Sequence, residues 1–440
     1  MRNSLNRKNR GQLRSLIVEL LRCIAQINTL PPESRKKQDI ITFKDKRLGY
    51  VVYHTVMEIG SLENTWIVVD RDEPLWDAVV AQLSDLNPKV YSVGQINKML
   101  IDFVWKFQSK GWQLSGILQE AETLMNSVKD ADVFIRRAFF PIWGLVVNVS
   151  PFVVGDVNFI SRAEHKKIDE ILSKRESARN EPKIESLAFT KATGGDNYMI
   201  VQNGEDKVNR ALNILRAFLY PIVPRAALKQ MGIKGSFYSL FKDYFVEDAY
   251  NSKGKFYSIP KLVYSRHELS GTDNMVIDPY VKEMALDKNG FNKLNEFLTS
   301  SNASQLQKSL LRGADWLGEA TKPDTLESKF IKIALAIDSM IGEESDIIPD
   351  KGMKARIAER SAFLLADEGK KREGIYVEID GFIKKRGSLV HGRTVAVSQW
   401  ETERFGTYVS VIIKRLLLGT PAFNSIKGLD TWVRRMSFRG

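Results

Sequence analysis

The stretch PDTLESKFIKIALAIDSMIG, Pro323 to Gly342, decides the fold class of the region around it. Leu326, Phe330, Ile333, Ile337 and Met340 recur at intervals of three and four, the period of an α-helix with one apolar face. Asp324 and Glu327 after Pro323 have capping-box spacing, and Gly342 follows the last apolar position, so the expected helix has a marked start and stop. Its apolar stripe has to be covered by other elements.

The neighbouring sequence supplies them. NASQLQKSLLRGADWLGEAT (302–321) puts Leu306, Leu310, Ala314 and Leu317 on one face. KARIAERSAFLLADEG (354–369) reads as a third helix ended by Gly369. EGIYVEIDGFIKKRGSLVHG (373–392) aligns Tyr376, Ile379, Ile383 and Val390. SQWETERFGTYVSVIIKRLLLG (398–419) has a Ser398–Glu401 capping box, the stripe Phe405, Val409, Ile412 and Leu416, and a stop at Gly419 and Pro421. Stripes that need one another for burial predict a compact helical bundle.

Upstream the patterns are mixed. A basic first segment leads into the helix LIVELLRCIA (16–25) and the linker NTLPPESRKKQD (28–39). KRLGYVVYHTVMEIG (46–60) and NTWIVVDRD (64–72) read as strands, and 92–110 and 113–128 as amphipathic helices. GLVVNVSPFVVGDVNFIS (144–161), IESLAFTKA (184–192) and NYMIVQNG (197–204) have strand composition. EDKVNRALNILRAFLYPIV (205–223) reads as a helix stopped near Pro221. The aromatic-rich run 235–269 reads as core and strand, with base stacking as the alternative. The chain is therefore α+β overall. A mixed helix and strand region spans 1–136, with a regulatory or sensing role. A strand-rich α+β region spans 137–300, and an all-α bundle 301–440.

Composition narrows the function. Cys23 is the only cysteine among 440 residues, which excludes an intramolecular disulfide and a cysteine zinc site. His54, His165, His267 and His391 lack ligand spacing, so no metal or other cofactor is expected. LIVELLRCIA is interrupted by Glu19 and Arg22 and is too short for a membrane span, so we expect a cytoplasmic protein with no membrane partner. The net charge is +12, and residues 381–440 hold eleven basic against three acidic side chains. That imbalance suits a polyanion, nucleic acid first, although a solvated basic face fits it equally.

P-loop, zincin, nucleophile-elbow and dinucleotide-binding motifs are missing from the sequence. RGSLVHG, Arg386 to Gly392, remains. An arginine fork can hold phosphate oxygens while charge builds there, and a histidine can move the protons of RNA cleavage by the 2′-hydroxyl, with no metal in any step. The products would be a 2′,3′-cyclic phosphate and a 5′-hydroxyl. The spacing alone is weak, because Arg47 and His54 in RLGYVVYH match it inside an apparent strand and read as structural. On a regular helix five residues turn through about 500°, leaving Arg386 and His391 roughly 140° apart. They converge only if Gly387 or Gly392 distorts the helix, or if a second subunit completes the site.

Three segments together resemble the HEPN superfamily, in its ApeA-like branch of bacterial anti-phage proteins. LESKFIKIALAIDSMIG (326–342) resembles the family's second helix, ARIAERSAFLLA (355–366) its following helix, and FIKKRGSLVHG (382–392) its arginine-to-histidine signature. The resemblance covers about 302–420. It implies a small helical bundle that homodimerises, sets two such motifs in one cleft and acts as a metal-independent endoribonuclease. Arg386 would then bind phosphate and His391 act as acid and base. Lys384, Lys385, Ser388 and Arg393 would contact RNA, and Asp338 would be a supporting acid. The chain has Gly387 where many active members are polar, and Asp338 where the branch often has glutamate. RNA, with tRNA as the class the family suggests, and a phage-derived trigger acting through the N-terminal region are the implied partners. The alternative is a catalytically silent RNA-binding or dimerisation module.

Overall fold

The computed structural model describes residues 7–28, 73–88, 90–109, 116–130, 132–179, 183–220, 222, 228, 231–233, 241–250, 255–262, 274–343, 352–419 and 423–438. The Arg47–His54 pair, the linker after residue 28 and the strands expected at 46–60 and 64–72 lie outside them. The fold is α+β, with an antiparallel sheet in the middle of the chain and helices from residue 291 onward. The chain divides into two compact units, Met1–Ile135 with Thr193–Asn203, and Arg136–Ala192 with Gly204–Gly440. Apart from Thr193–Asn203, residues 137–300 and 301–440, read from the sequence as two regions, fall in the second unit.

The described part of the first unit is helical. α1 (Arg7–Asn28), α2 (Glu73–Leu86), α3 (Val93–Ser109) and α4 (Ile117–Lys129) each turn an apolar stripe inward. Leu13, Ile17, Trp76, Leu83, Leu100 and Leu124 meet in its core. α1 takes up residues 7–14, so this part of the basic N-terminal segment is helix.

The second unit begins with β1 (Phe134–Trp143), β2 (Leu145–Val147), β3 (Phe152–Val154) and β4 (Val157–Ser161). Then come α5 (Lys166–Arg179), β5 (Ser186–Gly194), α6 (Asn197–Leu219), β6 (Gly232–Ile233), β7 (Phe241–Asp248), β8 (Phe256–Leu262) and β9 (Met275–Ile277). The sheet runs β3-β4-β5-β1-β7-β8 with β6 on β1, while β2 and β9 form a separate parallel pair. Ile168 and Leu172 of α5 pack on Phe139, Leu187 and Phe245 of the sheet. The described residues of the aromatic-rich run, 241–250 and 255–262, are largely strand: Tyr244 and Phe245 are buried, while Phe256 and Tyr257 are half-buried.

NYMIVQNG is the first part of α6, not a strand. Its aromatic and β-branched residues favour a strand locally. However, Asp196 precedes it, and its carboxylate accepts the Met199 N–H at 2.9 Å, an N-cap that starts a helix.

The helical region contains α7 (Phe291–Thr299), α8 (Gln305–Thr321), α9 (Leu326–Ile341), α10 (Met353–Leu365), α11 (Gly369–Val390), α12 (Gln399–Leu418) and α13 (Ile426–Ser437). α6 and α8 pack backbone to backbone. A Cβ at Gly318 would lie 2.0 Å from the Asn213 carbonyl oxygen, so only glycine allows this approach and joins the middle of the chain to the bundle. Phe330, Phe382 and Phe405 from α9, α11 and α12 meet with ring centroids 4.9–5.9 Å apart. Aromatic contacts of this kind add about 0.5–1.5 kcal/mol per pair beyond area burial.

The boundaries differ from the expected ones in two places. Thr325 rather than Asp324 caps α9, accepting the Ser328 N–H, while Asp324 binds the Ser328 hydroxyl and Lys332. Gly369 opens α11 instead of closing α10. The tail after Pro421 forms the amphipathic helix α13, burying Ile426, Leu429 and Val433. Ser398 and Glu401 do form the expected capping box. Among the described residues no helix is long and apolar enough to cross a membrane.

Candidate functional site

Arg386 continues the buried stripe of α11 one turn beyond Ile379, Phe382 and Ile383. This places its guanidinium against α9, where Nη2 lies 3.6 Å from Asp338 Oδ2. That separation is an ion pair but too long for a hydrogen bond. The Arg386 Nε is buried and without a hydrogen-bond partner. The arginine is thus oriented by charge, worth about 1 kcal/mol or less at a half-exposed site, and its terminal amino groups make no hydrogen bond among the described residues. The structure brings Arg386 and the expected supporting acid together.

Asp338 owes its place to the end of α9. Its carbonyl accepts the Gly342 N–H at 2.8 Å. A Cβ at Gly342 would lie 2.2 Å from Asp338 Oδ1 and 2.5 Å from its carbonyl oxygen, so a side chain there would displace the carboxylate. Beneath this turn Arg360 of α10 is fully buried. Its Nη1 donates to the carbonyls of Ile341 and of Glu343, the latter at 2.8 Å. Its Nε and Nη2 each bond the Asp430 carboxylate of α13 at 2.7 Å. Arg360 and Asp430 brace the end of α9 beside the candidate site, and the sequence did not point to them. The available signal was a charged residue on a core face, since Arg360 follows Ile357 by three and precedes Leu364 by four.

Gly387 does not bend α11, which runs unbroken to Val390. A Cβ at Gly387 would meet only the Lys354 Nζ, at 3.7 Å. The first turn of α10 therefore brings an exposed ammonium beside the motif, a third residue the sequence did not point to. Val390, expected on the buried stripe, is 55% exposed, and Phe382 takes that role. The stripe follows 3.6 residues per turn, and Val390 has passed the edge of the packed face.

His391 caps the C-terminus of α11 in a Schellman arrangement. Gly392 has φ +71°, the left-handed conformation that glycine adopts without penalty. Its N–H bonds the Leu389 carbonyl at 3.1 Å, and the Arg393 N–H bonds the Ser388 carbonyl at 3.0 Å. The exposed His391 ring is held by backbone alone, with no side-chain hydrogen bond among the described residues. Because the helix is regular as far as Val390, Arg386 and His391 project about 140° apart, with a rise of roughly 7.5 Å between them. Neither glycine brings them together within one chain.

The other candidates differ in availability. Lys384 is exposed and pairs with Asp380 at 2.6 Å. Lys385 bonds the Ala396 carbonyl at 3.0 Å and the Glu401 carboxylate, tying the segment after His391 back to α11. Ser388 is half-buried, and Arg393 is exposed with no ion pair among the described residues. Among those residues no group of three or more histidine, cysteine or acidic side chains could hold a metal ion. No family profile, curated protein or solved structure matches the chain.

Proposed function

We propose that the helical region is a metal-independent endoribonuclease of the HEPN type, an effector of anti-phage defence gated by the N-terminal unit, with Arg386 and His391 at its centre. What supports this reading most is the setting of Arg386. Its guanidinium is aimed by Asp338, carries no hydrogen bond among the described residues, and lies at the helix end that also presents Lys354, His391 and Arg393. An arginine with its fork unfilled is suited to a phosphate.

In the proposed reaction one His391 takes the proton of the ribose 2′-hydroxyl. The 2′-oxygen forms a bond to phosphorus while the bond to the 5′-oxygen breaks, and the leaving 5′-oxygen takes a proton from a second imidazole. Arg386 donates to the non-bridging oxygens as their charge rises. Since Arg386 and His391 diverge on one helix, a homodimer is required to place the arginine of one copy and the histidine of another on a single phosphate. tRNA is the substrate class that the family resemblance suggests.

One feature favours the alternative of a silent RNA-binding or dimerisation module: nothing among the described side chains orients the His391 ring. Incubation of purified protein with tRNA and total RNA in EDTA decides between them. Loss of an acid–base group lowers the rate by about a hundred- to ten-thousandfold, and His391→Ala is expected to do so. Equal cleavage by His391→Ala would overturn the catalytic assignment, and RNA binding without cleavage by wild type would establish the module. A protein that stays monomeric while cleaving would exclude the shared cleft.

A further inference from the structure

A second concave site lies toward the other end of α11. A cavity of about 470 Å³ opens between the end of α10, the first half of α11 and α12. Its apolar side includes Leu365 and Ile375, and its polar side Asp367, Glu378, Arg404 and Tyr408. The volume is in the range of small-molecule sites, roughly 300–1,000 Å³.

Arg404 organises this cavity. Its Nε donates to both oxygens of Glu378, at 3.0 and 2.9 Å, and the Tyr408 hydroxyl donates to the same carboxylate. The guanidinium carbon lies 5.3 Å from the Trp400 ring centroid and 5.2 Å from that of Tyr408. Burial alone would raise the Glu378 pKa, but the hydrogen bonds from Arg404 and Tyr408 outweigh it and hold the group ionised below the usual range. Carboxylate and rings fix the plane of the guanidinium, and its terminal amino groups have no carboxylate partner among the described residues. Fixing the fork in advance lowers the cost of ordering it on binding.

The rest of the lining narrows the ligand. Glu368 is paired with Lys371 at 3.1 Å, which leaves Asp367 as a carboxylate without an ion pair among the described residues. The Asp367 main chain is anchored, since its carbonyl accepts from Arg372 Nη2 at 2.8 Å. The site thus offers a flat pair of N–H donors and one acceptor carboxylate about an apolar slot. Three carboxylates against two cations make it poor for a bare phosphate. Guanine fits, because O6 and N7 are the acceptors an arginine fork reads, while N1–H and the 2-amino group are donors for a carboxylate. Adenine would turn its 6-amino group toward the arginine. Trp400, 60% exposed, offers a stacking face next to Arg404.

We infer that this cavity is a guanine-recognition subsite, with Arg404 and Asp367 reading the base, which positions an RNA strand for cleavage at Arg386 and His391. Its role in RNA cleavage rests on the nuclease reading, while its base preference stands on the cavity alone. Glu378 precedes Arg386 by eight residues, about 12 Å along α11. The Lys385–Glu401 pair lies between them on the same helices.

The test titrates the full-length protein with the four nucleoside 5′-monophosphates by calorimetry. GMP should bind about 5- to 150-fold tighter than AMP, the discrimination expected of one good bidentate contact. Arg404→Lys, which keeps the charge and loses the fork, and Asp367→Asn, which loses the acceptor for N1–H and the 2-amino group, should each lower that preference several-fold. Asp367→Asn leaves the Arg404–Glu378 clamp intact and decides the matter if Arg404→Lys does not fold. Equal binding of all four monophosphates, or a GMP preference unchanged by Asp367→Asn, overturns the subsite. A second arm places a single guanosine at successive positions of a uridine-rich RNA and replaces it by inosine, which lacks the 2-amino group. A drop in kcat/KM at one position assigns the subsite to the RNA strand, whereas GMP preference without any positional effect overturns the RNA role and assigns the cavity to a free guanine nucleotide. Cleavage lost in His391→Ala but without GMP preference would refute the subsite and keep the nuclease. GMP preference dependent on Asp367 in a protein that cuts no RNA would do the reverse.

Discussion

Replacing Asp430 with asparagine should destabilise the second unit far more than its place near the C-terminus suggests. Arg360 and Asp430 are both fully buried and joined by two charge-assisted hydrogen bonds of 2.7 Å. Each such bond contributes about 1.5–3 kcal/mol. Asparagine can keep one as a weaker neutral contact, but it leaves the guanidinium charge buried without a counter-ion. Breaking one partner of a buried pair costs about 3–5 kcal/mol. At roughly 2–4 °C per kcal/mol for a domain of this order, the melting temperature should fall by about 6–20 °C. Urea unfolding followed by tryptophan fluorescence reads the change, since Trp432 lies on the same helix and packs on Phe363 and Phe423. The double variant Arg360→Met with Asp430→Leu should lose much less than the two single losses added, because it removes both charges together. A cost below about 1 kcal/mol for Asp430→Asn, or strictly additive losses in the double variant, would refute the reasoning. Arg360→Met also frees the two carbonyls at the end of α9, so on the nuclease reading proposed above it should lower RNA cleavage through Asp338 and Arg386 beyond what Asp430→Asn does.

Other outcomes follow from single residues. Gly387→Ala should stabilise the protein by about 0.5–1 kcal/mol, because it removes a mid-helix glycine and its Cβ meets only the flexible end of Lys354; a lower melting temperature would show that the position is crowded. Burial works to raise the Asp324 carboxyl, but hydrogen bonds from Lys332, Ser328 and the Thr325 N–H hold it at about 2. Its folded pKa lies below the unfolded 3.8, so its stabilisation is complete above about pH 4 and disappears as the pH falls to 2. The melting-temperature gap between wild type and Asp324→Asn should close over that window, and a constant gap would sink the assignment. Burial alone pushes the Lys414 ammonium down to about 8 from 10.5. The lysine therefore costs stability below pH 8, and this cost fades as the pH rises to 10.5. Lys414→Met should melt higher than wild type at pH 7 and lose its advantage at alkaline pH, which a melting series in buffered steps will show.

The helical half was legible because its information is local. Buried stripes at helical spacing around Phe330, Ile333 and Ile337, or Phe405, Val409 and Ile412, have one way to leave water, and Ser398 with Glu401 marks a start that uses neighbouring residues only. NYMIVQNG misread because its composition favours a strand, while the deciding signal was one residue upstream, in Asp196. α13 was not legible locally, because it gains its stability from burial of Ile426, Leu429 and Val433 and from a partner seventy positions away in sequence, Arg360. Helices that short depend on tertiary packing.

The candidate site divides the same way. The sequence by itself determined that an arginine and a histidine end one amphipathic helix, that Gly392 stops it, and that the surrounding charge is positive. Only the tertiary structure decided which groups face Arg386. Asp338 is 48 positions away and Lys354 32 positions away, and both reach α11 because helix packing brings the end of α9 and the start of α10 to it. It also decided that Gly387 leaves α11 straight, so that Arg386 and His391 diverge. Periodicity and caps are written in neighbouring residues, whereas ion pairs across helices depend on how buried faces dock, and that is settled only once the whole core has packed.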